Sequence, residues 1–158
     1  FKIALVISNN SLAKGLNYYN KFKIKKKVFN YSNIINAEKE IIFELKKSKI
    51  DLICLAGFMK ILSKNFIKKF IGKILNIHPS LLPKYKGLNT HQRVISNSEK
   101  YSGCTVHYVS SKLDSGKIIL QKKVKIFKHD TYKRLEKRIL KQEHLLYPKA
   151  LKKVLSNF

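Results

Sequence analysis

The sequence predicts an α/β domain, a mainly parallel central sheet flanked by helices. Three observations predict it. Short apolar runs, such as residues 3–7 and 52–56, are continuous rather than alternating, as in strands covered on both faces. Amphipathic stretches with helical spacing lie between those runs. Strand and helix signals then take turns along the chain, the order that a parallel sheet with crossover helices requires. The 158 residues suit one domain spanning 1–158, with no internal repeat, linker or low-complexity block.

The elements follow in order. Residues 2–8 read as a strand, and residues 10–19 as a helix with Leu12, Leu16 and Tyr19 on one side. A short second strand covers 27–31. Asn36 is expected to cap a helix that carries Glu38 and Glu40 in its first turn and Lys46, Lys47 and Lys49 at its end, a charge order matched to the helix dipole. Its apolar stripe is Ile41, Ile42 and Leu45. Residues 51–56 form a third strand halted by Gly57. Ser63 caps a short helix reaching Phe70, and 73–77 is the fourth strand. A loop with Pro79 and Pro83 runs to Gly87, followed by a helix near 90–96 and two longer strands at 103–109 and 117–126. Asp130 is expected to begin the closing helix, with Tyr132, Leu135 and Ile139 facing inward and Pro148 kinking or restarting it. Phe1 enters a strand at once, so further residues are expected before it.

Composition narrows the function. Lys and Arg number 34 against 9 acidic residues, a formal charge of +25. The cations are 31 lysines and 3 arginines, scattered along the whole chain. Nucleic-acid readers favour the arginine fork and cluster their charge, so the pattern argues against a nucleic-acid partner and for solvated faces. Such a field still attracts anionic small molecules. No run approaches the roughly 18 apolar residues of a membrane span. Cys54 and Cys104 fit neither a disulfide framework nor a zinc site, no metal is expected, and the simplest setting is a reduced, cytoplasmic one. Both cysteines read as small apolar fillers.

The reactive side chains gather where an open α/β sheet places its ligands, beyond the carboxyl ends of strands. Asn76 and His78 are two residues apart at the end of the fourth strand and therefore share a face. An amide can donate to a carbonyl oxygen, and an imidazole can move a proton near neutral pH. Asp114 lies in the link 110–116, where it could orient that imidazole. His107 reads as structural or supporting, His91 as a residue at a helix start near the site, and His129 and His144 as surface or packing.

These residues sit in longer motifs. Asn76-Ile-His-Pro-Ser-Leu-Leu-Pro83, continuing Lys-Tyr-Lys-Gly87-Leu-Asn-Thr-His91, resembles the signature of the phosphoribosylglycinamide formyltransferases. Leu55-Ala-Gly-Phe-Met-Lys-Ile-Leu62, Gly103-Cys-Thr-Val-His107-Tyr-Val, Leu113-Asp-Ser-Gly116 and Gln142-Glu-His144-Leu-Leu-Tyr-Pro148 agree with the same family, in the same order. The resemblance implies a Rossmann-like formyltransferase fold. It also implies transfer of a formyl group from 10-formyltetrahydrofolate to the amine of glycinamide ribonucleotide, in purine synthesis, without a metal. It places the catalytic roles on Asn76, His78 and Asp114. Asn76, and His78 when protonated, would hydrogen-bond the developing oxyanion; Asp114 would favour the imidazolium and help move the amine proton.

By the same resemblance, Leu55, Phe58, Met59, Lys60, Ile61 and Leu62 would form part of the folate cleft. The link 109–114 would close over the pterin. Lys60 stands where the family commonly has Arg, which implies a looser grip on the glutamate tail. Met59, Ile77, Pro79 and Glu143 would serve the nucleotide. Glu143 also recurs on the helical face of Leu135 and Ile139, so it is expected to point inward.

The family's first strand and Gly-rich phosphate loop are not seen here. Ser8-Asn9-Asn10 echoes that loop but lacks its glycines, and residues 33–36 carry no Arg. The expectation is that about one strand and one helix precede Phe1. Formyltetrahydrofolate hydrolase shares the Asn-Ile-His and Asp-x-Gly motifs but differs after Pro79. Methionyl-tRNA formyltransferase would add an RNA-binding barrel after Pro148. An inactive remnant, or a basic scaffold of the same fold, is the non-enzymatic alternative.

Overall fold

The computed structural model describes residues 2–17 and 22–156. Two compact units organise them: Phe1–Asp51 with Lys64–Gly72, and Leu52–Ser63 with Lys73–Phe158.

In the first unit, strands β1 (Leu5–Ser8) and β2 (Lys25–Val28) pair in parallel, Leu5 opposite Lys25 and Ser8 opposite Val28. Among the described residues between them is a 3-10 turn, Lys14–Asn17, which buries Leu16. Over the described part of the helix expected at 10–19, residues 10–17, only that turn is helical and Leu12 is exposed; Tyr19 lies outside the described residues. Helix α1 (Ile34–Lys47) starts earlier than expected. Asn33 is its cap, with its side chain accepting from the Asn36 amide at 3.1 Å, so Glu38 and Glu40 fall beyond the first turn. Asn33 wins because a cap must stand outside the helix with its oxygen free to accept from an amide two or three residues ahead. The expected stripe holds: Ile41, Ile42 and Leu45 are buried. Glu44, also buried, pairs with Lys25 and Lys27 of β2. Helix α2 (Lys64–Lys69) buries Phe66.

The second unit holds a four-stranded sheet in the order β3 (Leu52–Leu55), β4 (Lys73–His78), β5 (Tyr101–Tyr108), β6 (Ile118–Lys125). β3 and β4 are parallel, whereas β4–β5 and β5–β6 are antiparallel. The α/β class stands, with a mixed sheet in this unit. The chemistry of connection explains β6: a parallel neighbour needs a crossover of a dozen or more residues, and the stretch 109–117 is too short for one.

Helices α3 (Thr90–Ser96) and α4 (Tyr132–Leu155) pack on this sheet around Val94, Cys104, Val106, Val124, Leu135, Ile139, Leu146 and Ala150. Each fully buried Leu or Ile of that cluster contributes about 1.5–3 kcal/mol. Two expectations for α4 are corrected. Thr131, not Asp130, is the cap, its hydroxyl accepting from the Arg134 amide at 3.3 Å. Asp130 instead accepts from the Phe127 amide and takes both terminal nitrogens of Arg138, at 2.6 and 2.7 Å. Tyr132 is exposed rather than inward, one turn outside the buried stripe. The helix runs through Pro148 without restarting; that residue sits on the exposed face, where water can satisfy the carbonyl that its missing N–H leaves free. Among the described residues no helix is long and apolar enough to cross a membrane.

Candidate active site

Strand β4 delivers Asn76 and His78 to one face, and the antiparallel neighbour β5 places His107 directly opposite Asn76. The Asn76 Nδ2 and His107 Nε2 atoms are 3.4 Å apart. The other nitrogen of His107, Nδ1, is 2.8 Å from the Tyr108 carbonyl oxygen. A carbonyl only accepts, so Nδ1 carries the hydrogen and Nε2 offers a lone pair to the Asn76 amide. Burial holds the His107 imidazole below its usual titration range, against the opposing pull of the Tyr108 carbonyl and Asp114. The ring is therefore a neutral acceptor. It uses one N–H of Asn76 and leaves the second free.

His78 is buried, and its Nε2 donates to the Tyr85 carbonyl at 2.8 Å. Its Nδ1 faces the Asp114 carboxylate, 3.4 Å from Oδ2. That same oxygen accepts from the Gly87 amide at 2.9 Å, while Oδ1 lies 3.8 Å from His107 Nε2. The three residues singled out in the sequence thus meet, with His107 as a fourth member that the sequence reading placed only in support. The antiparallel partner of Asn76 was the signal that could have found it. A hydrogen on Nδ1 would point at the carboxylate, the geometry a proton relay needs. With both nitrogens of His78 engaged, the second N–H of Asn76 is the donor left to meet an acceptor on this face.

Asp114 reaches this position indirectly. The chain leaves β5 beside the start of β4, where the Val109 amide donates to the Ile74 carbonyl, and then turns back over the face that bears His78. Gly116 closes that turn. A Cβ there would stand 1.7 Å from the Tyr108 carbonyl oxygen, so no other residue fits. Asp114 itself has a left-handed backbone, φ 44°, a conformation uncommon outside glycine. The Pro79–Pro83 stretch is stitched to the sheet by Thr105, whose hydroxyl donates to the Ser80 carbonyl at 2.6 Å and accepts from Gln121 at 2.9 Å.

The remaining expected residues fall around this group. Leu55 is the register partner of Asn76. The Tyr147 hydroxyl of α4 lies 2.8 Å from the Leu55 carbonyl and 3.2 Å from that of Leu75, joining the ends of β3 and β4. Phe58 is half-buried, Met59, Lys60 and Ile61 are exposed, and Leu62 is buried. Pro79 is half-buried beside His78 in sequence. Ile77 packs against the core, which leaves its backbone rather than its side chain for a ligand. Glu143 is half-buried, and burial raises its carboxyl above the usual range. His91, near His78, is held low by burial and has an Nδ1 without a hydrogen-bond partner. Cys104 is a core filler whose thiol burial pushes up to about 12. Cys54 corrects the expectation, because its strand is open to solvent at that position. A recess of about 470 Å³ in the other unit is lined by Lys27, Phe29, Lys39 and Phe43 among others, and contains none of the expected site residues.

Residues 1–151 match the formyl transferase family. The chain is 47% identical over 154 residues to the phosphoribosylglycinamide formyltransferase of Haemophilus influenzae, covering 96% of this chain and 73% of that protein. It is 42% identical to the human trifunctional purine biosynthetic protein adenosine-3, where the match covers 98% of this chain but only 16% of the relative. The crystal structure of phosphoribosylglycinamide formyltransferase from Anaplasma phagocytophilum superimposes with a TM-score of 0.91 at 41% identity, covering 99% of this chain and 74% of that one. A fold shared at this level with a sequence shared at this level has one explanation: the chain belongs to the formyl transferase family, among the phosphoribosylglycinamide formyltransferases.

Proposed function

We propose that this chain transfers the formyl group of 10-formyltetrahydrofolate to the amine of glycinamide ribonucleotide, a step of purine synthesis in the cytoplasm. The observation that carries this reading is the cluster in which Asp114 lies 3.4 Å from His78 and 3.8 Å from His107, the ring that faces Asn76 at 3.4 Å. The amine attacks the formyl carbon, and the C=O electrons move onto oxygen. The free N–H of Asn76 donates to that oxyanion, an interaction stronger in the transition state than in the substrate. The attacking nitrogen then sheds a proton, which the His78–Asp114 pair helps carry, directly or by one water, to the folate nitrogen as the C–N bond to folate breaks. Atoms and charge balance with no oxidant and no covalent enzyme intermediate.

Leu55 and the segment Phe58, Met59, Lys60, Ile61 and Leu62 would line the folate side, with the link through Asp114 closing over the pterin. Met59, Pro79, the Ile77 backbone and Glu143 would meet the nucleotide. Glu143 suits that part because a half-buried acid gains most from a ligand's hydrogen-bond donors.

The test mixes the protein with both substrates and follows formylated product and free folate. Product formed in step with folate release supports the reading. Formate release without the amine would reassign the site to hydrolysis, and no turnover at all would reject it.

A further inference from the structure

We propose that Arg93 is a positioning residue for the His78–Asp114 pair, acting through the backbone between Lys84 and Asn89. The inference rests on the reading of that pair as the proton-handling group. The first observation is where the two side chains are held. His78 is bound by the carbonyl of Tyr85 and Asp114 by the amide of Gly87, so both depend on a few residues of loop.

That loop does not hold itself. Tyr85, Gly87 and Asn89 all have left-handed backbones, with φ of 55°, 76° and 56°. Two of them are not glycine, and such residues persist where the surroundings over-determine them. The surroundings here converge on Arg93, on the first turns of α3. Its Nη1 donates to the Lys86 carbonyl at 2.6 Å and reaches the Leu88 carbonyl at 3.4 Å. Its guanidinium lies 5.4 Å from the centre of the Tyr85 ring, within cation–π range. The far end of that ring is tied by its hydroxyl, which donates to Glu99 at 2.9 Å and accepts from Asn97 at 3.0 Å.

The decisive link is covalent. The Lys86 carbonyl and the Gly87 N–H belong to one planar peptide unit. Holding the carbonyl oxygen therefore sets the direction of the N–H, and that N–H carries the Asp114 carboxylate. The grip also polarises the peptide and strengthens its outward hydrogen bond. Arg93 touches no reacting atom, yet it aims the carboxylate that faces His78 Nδ1.

The test uses Arg93→Met and Arg93→Lys in the full chain, each shown to be folded by its melting temperature. In the free protein, the Gly87 amide should show a downfield proton and slow exchange. Both features should be lost in R93M and partly kept in R93K, whose ammonium can still reach the Lys86 carbonyl. In the assay R93M should lower kcat by about ten- to a hundredfold, the scale of a small misplacement, with KM for both substrates within about twofold. An unchanged Gly87 amide in R93M, or unchanged kcat, overturns the proposal. If the parent protein transfers no formyl group while the Gly87 amide still responds to Arg93, the functional reading fails and the clamp stands.

Discussion

Asn76 and His107 face each other across β4 and β5 with 3.4 Å between amide and imidazole, and the ring is itself fixed by the carbonyl of the next residue, Tyr108. A histidine locked in one tautomer orients an amide, and the amide can then meet charge that develops outside the sheet. Replacing His107 by Phe removes the acceptor while nearly keeping the shape. It should lower kcat more than it raises KM and cost about 1–3 kcal/mol in stability for the groups left unpaired. His107→Gln, which can still accept from Asn76, should recover part of kcat; equal rates for the Phe variant and the parent would refute the orienting role.

His78→Ala should reduce turnover by about 10²–10⁴-fold, the usual reach of general acid–base catalysis, with the fold intact. Turnover is read at saturating substrates alongside circular dichroism. Retained turnover would remove His78 from the mechanism.

Gly116→Ala introduces a Cβ only 1.7 Å from the Tyr108 carbonyl, so the link carrying Asp114 must move. Both stability and kcat should fall, the former by about 1–3 kcal/mol. Gly15→Ala, where nothing lies within 4 Å of the added carbon, is the control and should change neither. Matching behaviour of the two variants would contradict the tight return.

Glu143→Gln tests a raised carboxyl. Burial lifts the folded value above the ordinary 4.5, so ionisation opposes folding. That penalty is absent below about 4.5 and develops as the pH rises toward the folded value. The amide variant should therefore match the parent in acid and become the more stable protein toward neutral pH, while losing affinity for the nucleotide. Denaturant titrations at several pH values read the first effect and KM the second. A variant less stable than the parent at neutral pH would show the carboxylate to be paired in the free protein.

The residues that were legible in the sequence are those set by local periodicity. Asn76 and His78 share a face because side chains on a strand alternate, and Ile41, Ile42 and Leu45 are buried because they recur at helical spacing. Asp114 was legible only as a carboxylate on a short link after the sheet, and the family motifs strengthened that reading, since nothing local says that such a link folds back toward His78. The roles of Tyr85 and Gly87 were not legible, because they act through a carbonyl and an amide that every residue possesses. Helix starts were misplaced by proximity of rivals: Asn36 lies three residues beyond Asn33, and Asp130 sits beside Thr131 but is claimed by Arg138. Cys54 looked apolar by composition, yet exposure depends on which neighbours its strand receives.

Connections between antiparallel strands are ordinarily where proteins tolerate added or deleted residues. The one after β5 has no such freedom, because its path both makes the tight return at Gly116 and sets Asp114 over its partners. One extra residue there should displace the return at Gly116 and carry the acid away from His78. The length of this short stretch is therefore fixed by its geometry as firmly as the identity of the side chains it positions.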